Sequence, residues 1–155
     1  MKRIVKKQCP MCGKTTYMLF DAEHYEEVNA YMVALFYRTK RKLIQEALPF
    51  LDDFAREFIL TGYCPSCQEQ LFNAKVKKAD DYFSYDDIHN EVLAAFLKDI
   101  HTLGVMKVFA SPSAARMSMQ QKLYVLYEYD LWDQLLVDET GNIVLLLKSK
   151  RRYNR

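Results

Sequence analysis

Four cysteines constrain this chain more than any other feature. They fall into two pairs, Cys9-Pro10-Met11-Cys12 and Cys64-Pro65-Ser66-Cys67, separated by 51 residues. Two-residue spacing lets both sulfurs of a tight turn face one ion. Two such turns supply the four soft ligands of a closed tetrahedral site with bonds of about 2.3 Å. Gly13 follows the first pair and permits the left-handed conformation that closes such a turn, whereas Gln68 follows the second, so the halves are not equivalent. The spacing predicts a structural Zn²⁺ held by Cys9, Cys12, Cys64 and Cys67. Iron in the same cage is the alternative, because the donor set suits both metals. Disulfides are disfavoured without a secretion signal, and a thioredoxin-like redox site would carry one C-x-x-C rather than two. Four thiolates fill the coordination shell and leave no open position for an activated water. His24, His89 and His101 are not required as ligands.

The chain has 155 residues, half of them hydrophobic and 27% charged, with only four Gly and four Pro. That is the composition of one folded domain or two small ones, and it excludes wholesale disorder and collagen-like or linker-rich architectures. No run approaches the roughly 18 apolar residues of a membrane span. The basic start (Lys2, Arg3, Lys6, Lys7) leads into Cys9, Pro10, Gly13 and Lys14 instead of the apolar core of a signal peptide, so the expected location is cytoplasmic. The net charge of +2 hides an uneven distribution. Residues 1–78 carry 13 basic against 9 acidic residues, whereas the stretch 80–139 carries 4 against 11. The cations cluster at Lys6 and Lys7, at Arg38, Lys40, Arg41 and Lys42, at Lys75, Lys77 and Lys78, and in a tail containing Lys150, Arg151 and Arg152. Such clusters are candidate phosphate contacts, set against the plainer reading of solvated surface.

In the amino-terminal half, residues 14–20 (KTTYMLF) predict a strand. Asp21 predicts an N-cap for a helix reaching about Arg38, with Tyr25, Val28, Met32, Leu35 and Phe36 on its core stripe. A second helix spans about 42–48 and stops at Pro49. Asp52 or Asp53 caps a third, which turns Phe54, Phe58 and Ile59 inward and ends at Gly62. Pro65 opens a fourth, running to Asn73 with Leu71 and Phe72 as core residues.

The segments CPMCGKTTYMLF, DAEHYEE and LIQEALPFLDDFAREFILTGYCPSCQEQLF, over about residues 8–73, resemble a family of small bacterial zinc-ribbon proteins carried on mobile elements and phages. The resemblance implies zinc at Cys9, Cys12, Cys64 and Cys67, a cytoplasmic setting and a mobile-element origin. It implies no activity.

Residues 75–81 (KVKKADD) suggest a boundary, giving a four-cysteine zinc module with a helical insertion over 1–78 and a second module over 79–155. There Ser84 and Asp87 have the form of a capping box, followed by a helix presenting Ile88, Val92, Phe96, Ile100 and Leu103 and stopping at Gly104. Residues 105–109 read as extended. Ser111-Pro112 and Ser118 open two further helices, the latter with Gln121 in the box position. Residues 134–137 and 143–148 form a hairpin around the turn 138–142. The order resembles a winged helix, with 119–132 as groove-reading helix and Gln120, Gln121 and Lys122 as candidate contacts. A strand over 123–131, giving a three-stranded meander, is the alternative. The fold class is thus α+β: a zinc-ribbon or treble-clef-like module plus a helix-rich, winged-helix-like module ending in a β-hairpin.

No phosphate-binding loop, dinucleotide fingerprint or nucleophile elbow is present. Asp80, Asp81, Asp86 and Asp87 read as linker and helix start rather than a Mg²⁺ site. Asp87-Ile88-His89-Asn90 lies outside the cysteine turns, where His-Asn-His nuclease chemistry would not be assembled. No catalysis and no small-molecule substrate are expected. Three functions remain. The first is a non-enzymatic nucleic-acid-binding accessory or regulatory factor of a mobile element. The second is an inhibitor of a host nucleic-acid machine, such as a bacterial immune nuclease, binding protein through Tyr124, Tyr127, Tyr129 and Trp132. The third is a zinc-stapled oligomerising scaffold.

Overall fold

The computed structural model describes residues 1–145. Lys150, Arg151, Arg152 and the outer end of the strand expected over 143–148 lie outside the described residues. The fold is α+β, and the chain divides into two compact units, one formed by Arg3–Ser84 and one beginning at Tyr85. The sequence boundary near residue 78 falls six residues earlier, because 82–84 read as linker but form a strand that pairs inside the first unit.

The first unit is built on a three-stranded sheet in the order β1-β2-β3: β1 (Lys2–Gln8), β2 (Thr15–Asp21) and β3 (Tyr82–Ser84). β2 lies in the middle, and its residues from Thr16 to Phe20 are buried on both faces. β3 runs antiparallel to it, with Thr16 opposite Ser84, Tyr17 opposite Phe83 and Met18 opposite Tyr82. The Tyr17 and Phe83 rings stack at 5.1 Å. β1 was not expected as a strand. Only Ile4 and Val5 interrupt its cations, and both are buried, while the lysines on this edge strand discourage pairing with another chain.

Four helices fill the connection from β2 to β3. A 3-10 turn at Ala22–His24 leads into α1 (Tyr25–Tyr37), and Asp21 makes no side-chain cap there, contrary to expectation. α2 (Ile44–Ala47) is a single turn. α3 (Asp53–Thr61) is capped by Asp52, whose carboxylate accepts from the Ala55 N–H at 2.9 Å, and ends at Gly62 with φ 81°. α4 (Pro65–Phe72) starts with Pro65 and ends at Asn73. Val5, Met18, Phe20, Val28, Tyr31, Ile44, Leu48, Phe58 and Ile59 form the core of this unit. Tyr31 joins Val28 on the core stripe of α1, whereas Tyr25 and Phe36 are exposed, Tyr25 at the helix start beneath the Arg3 guanidinium at 3.8 Å and Phe36 in its last turn. Leu71 and Phe72 are exposed as well, and the buried residue of α4 is Gln68.

The second unit opens with α5 (Tyr85–Ile88), a single turn. The continuous helix expected from a Ser84 cap is broken at His89-Asn90, and Ser84 instead ends β3. Asn90 is the cap of α6 (Glu91–Leu103): its side-chain oxygen accepts from the N–H groups of Val92 and Leu93 at 3.0 and 3.1 Å. The buried residues of α6 are Leu93, Phe96 and Ile100, while Leu103 is exposed. α7 (Val105–Val108) is helical where an extended segment was expected, since a short apolar run fits either period. α8 (Pro112–Arg116) is tied to α6 by a hydroxyl relay: Ser111 meets Ser113 at 2.9 Å, and Ser113 donates to Asp99 at 2.8 Å. α9 (Met119–Glu128) carries the expected capping box, with Gln121 N–H to Ser118 Oγ at 3.2 Å and Ser118 N–H to Gln121 Oε1 at 2.9 Å. The meander alternative is thereby excluded. β4 (Leu135–Val137) and β5 (Ile143–Leu145) complete the hairpin, pairing Leu135 with Leu145 and Val137 with Ile143.

Asn90 and Gln121 lock together. Gln121 Nε2 donates to Asn90 Oδ1 and to the Ile88 carbonyl, each at 2.9 Å. Asn90→Ala removes the cap and one partner of a buried amide. It is expected to lower stability by about 1–2 kcal/mol, whereas Asn90→Asp keeps the acceptor and loses less. Urea unfolding of both variants measures the difference.

Candidate metal centre

Each pair of cysteines sits at the end of a regular element, and those elements explain its geometry. The first pair lies in the loop from β1 to β2. There Cys9 N–H donates to the Lys14 carbonyl at 2.9 Å and Gly13 N–H to the Cys9 carbonyl at 2.8 Å. Gly13 has φ 77°, as the turn requires. The second pair starts α4: Cys64 is the N-cap, Pro65 follows it, and Cys67 lies in the first turn.

The four sulfurs all lie within 4.8 Å of one another. Cys12 Sγ and Cys64 Sγ are 3.7 Å apart. Four sulfurs at about 2.3 Å around one ion are about 3.8 Å apart along each edge of the tetrahedron, so the cluster has the dimensions of a tetrathiolate site. Cys9 and Cys64 are buried, Cys67 is half-buried and Cys12 is exposed, which places one edge of the cluster toward solvent. Among the described residues these four are the only such group of ligand side chains.

The electrostatics of the cluster favour a cation. Burial raises the Cys9 thiol, but backbone N–H groups of Cys64, Cys12 and Met11 outweigh it and bring its pKa down to about 6. The Cys64 N–H reaches Cys9 Sγ at 3.4 Å. Burial pushes Cys64 up, and burial together with the neighbouring thiols pushes Cys67 up to about 12. The Cys9 thiolate is stabilised, while Cys64 and Cys67 resist negative charge. A divalent cation held by the four sulfurs would offset that resistance.

Two residues outside the ligand set hold the turns together. Gln68, on α4, donates from Nε2 to the Phe54 carbonyl at 3.0 Å and the Tyr63 carbonyl at 2.8 Å, fixing the second pair to α3. Gly62 brings the end of α3 against the first pair: a Cβ there would lie 3.1 Å from the Gln8 carbonyl oxygen and 3.6 Å from Pro10. Neither role was visible in the sequence, where Gln68 marked only the asymmetry of the turns and Gly62 a helix end.

The other candidate residues are dispersed. Lys6 is exposed, with its ammonium 5.6 Å from the centre of the Tyr17 ring. Lys7 is half-buried, and burial lowers its pKa, which makes it the poorer phosphate contact of the two. Arg38, Lys40, Arg41 and Lys42 form one exposed segment between α1 and α2. In the second unit Tyr124, Tyr127 and Trp132 are half-buried and Tyr129 is exposed. Burial, followed by the charges of Glu128, Tyr85 and Tyr129, raises the Tyr124 phenol to about 12, so it stays a neutral donor. Its ring lies 5.9 Å from that of Tyr85, an aromatic neighbour 39 residues away that no short-range signal announces. Gln121 is buried in the capping box and Lys122 donates to the Gly141 carbonyl at 2.5 Å, so two of the three contacts assigned to a groove-reading helix serve the fold.

Compared with known proteins, the chain matches no family model, no curated protein and no solved structure.

Gly62→Ala combines a left-handed backbone with a close approach to the first turn. It is expected to destabilise the first unit by about 1–3 kcal/mol and to speed loss of metal to a chelator. Gln68→Leu removes both of these hydrogen bonds and leaves an apolar group against the two carbonyls, and it is expected to cost about the same. Thermal melts with and without chelator, followed by metal analysis of the protein fraction, check both.

Proposed function

We propose that the four cysteines hold a structural Zn²⁺, in a treble-clef-like arrangement with one pair on a strand loop and one on a helix start. On that frame the protein acts as a non-enzymatic nucleic-acid-binding accessory or regulatory factor of a mobile element or phage. The ion ties the two turns together when bound, and every ligand position is taken by protein, which favours a structural role over a catalytic one.

The observation that carries the reading is the segment after α1. Arg38, Lys40, Arg41 and Lys42 are all exposed, and no acidic residue lies between Glu27 and Glu46. Arg38 ends the helix in the left-handed conformation, φ 55° and ψ 36°. Such a position ordinarily takes glycine, and a side chain there costs about 1–2 kcal/mol. The other non-glycine residues with positive φ among those described are Asn73 and Asp130, types that tolerate this region. Strain accepted at a cation points to a use for that cation.

A second reading, inhibition of a host nuclease through a protein contact, draws on the Tyr85 and Tyr124 pair beside Glu128 and exposed Tyr129. An acidic aromatic surface suits a basic partner. A stable complex lost on Tyr124→Ala and Tyr129→Ala, without any nucleic-acid affinity, would favour it.

Fluorescence anisotropy with short oligonucleotides at graded salt tests the first reading. Four phosphate contacts predict a slope of log affinity against log salt near −3, and replacing Lys40, Arg41 and Lys42 by Glu flattens it. Arg38→Gly is expected to raise the melting temperature and weaken binding together. Absence of binding up to about 10⁻⁴ M at low salt rejects the reading.

A further inference from the structure

The basic segment is flanked by aromatic and aliphatic side chains that the core does not use. Phe36 is 80% exposed, Tyr37 69% and Leu43 67%, and Val33 is also exposed. The Phe36 and Tyr37 rings meet edge to face at 5.1 Å with an interplanar angle of 82°, an arrangement that covers at most one face of one ring. Both immediately precede Arg38. The guanidinium of Arg41 is held nearby, 6.0 Å over the Tyr31 ring, with Nη1 donating to the Thr39 carbonyl at 3.3 Å. Six residues, Phe36, Tyr37, Arg38, Lys40, Arg41 and Lys42, therefore place two open ring faces and four cations within one short stretch of chain.

We infer that this stretch binds single-stranded nucleic acid, with unpaired bases stacking on Phe36 and Tyr37 and the adjoining phosphates meeting Arg38, Lys40, Arg41 and Lys42; the inference rests on the nucleic-acid reading above and narrows it. Duplex bases stack on one another and hide their faces, so exposed rings gain nothing from a duplex. An unstacked strand offers a face from every base, whatever its identity. Charge complementarity alone would suit either form, and the rings decide between them.

The same side chains do not suit a lipid surface. A helix lying in an anionic interface carries Lys and Arg along its polar face. α1 contains no Lys or Arg, and its exposed surface two to three turns before Phe36 carries Glu26, Glu27 and Asn29. The cations all lie beyond its end, in the exposed loop that follows rather than along a helix face. A strand of nucleic acid could cross the end of α1 and follow that loop.

The experiment is an anisotropy titration of the full, metal-loaded chain with fluorescein-labelled oligo-dT and oligo-rU of about 12 nucleotides, and with a duplex of the same length. Phe36→Ala and Tyr37→Ala are each expected to weaken single-strand binding at least about fivefold, and to leave duplex binding and the melting temperature unchanged. Phe36→Tyr and Tyr37→Phe retain affinity, whereas Phe36→Leu, which keeps the apolar volume, does not. If the ring variants bind the single strand as the parent does while the Lys40, Arg41, Lys42→Glu variant fails, the stacking inference is wrong and the nucleic-acid reading stands. If no oligonucleotide binds, both are wrong. Ring-dependent binding to vesicles of phosphatidylserine and phosphatidylcholine, with none to oligonucleotides, would likewise overturn both.

Discussion

The first unit depends on joining two short turns that are distant in sequence. Cys9 and Cys64 are both buried, and the backbone N–H of the second already reaches the sulfur of the first. Between the two turns lie β2 and three helices, with a core of modest size. A unit of this length sits near the small end of the range in which a hydrophobic core suffices, so a cross-link between its two cysteine turns would add substantially to its stability. An ion held by all four sulfurs would close the long loop and convert metal–thiolate affinity into folding free energy. The close approach at Gly62 and the two carbonyls satisfied by Gln68 show that the protein matrix is already shaped around that closure.

The two units carry different chemistry. In the first, cations gather in the insertion between the cysteine pairs, where the ends of the insertion meet at the cysteine cluster and the segment 38–42 is exposed. In the second, the polar groups are largely consumed by the fold. Gln121, Asn90 and Ser118 satisfy one another, and Ser111, Ser113 and Asp99 form a relay. Asp138 closes the hairpin turn by accepting from the Thr140 hydroxyl and from the backbone N–H groups of Thr140 and Asn142, which also holds its carboxyl below the usual range. Glu128, Tyr129 and Asp130 are exposed in this unit, acidic where the segment after α1 is basic.

The parts legible in the sequence were those fixed by local chemistry. Two C-x-x-C pairs, Asp52 before α3, Gly62 after it, Pro65 opening α4, and Ser118 with Gln121 are short-range signals, and each appears where its mechanism places it. The features that escaped depend on tertiary context. β1 is a strand of lysines with two buried residues, and β3 has three residues and exists only because β2 offers an edge. The break at His89-Asn90 arises because Asn90 serves both α6 and Gln121, a partner 31 residues away. Phe36 fitted the period of the core stripe, and periodicity does not say where a core ends. The clustering of the four cysteines was therefore readable from spacing alone, while the exposed rings beside the basic segment emerged only from burial.

The most direct test of the account is X-ray absorption at the metal edge of the purified, reduced protein. One bound ion surrounded by four sulfurs at about 2.3 Å, with no nitrogen or oxygen in the inner shell, is the predicted result. A shell containing nitrogen or oxygen donors, or a folded protein with no metal edge at all, would contradict it.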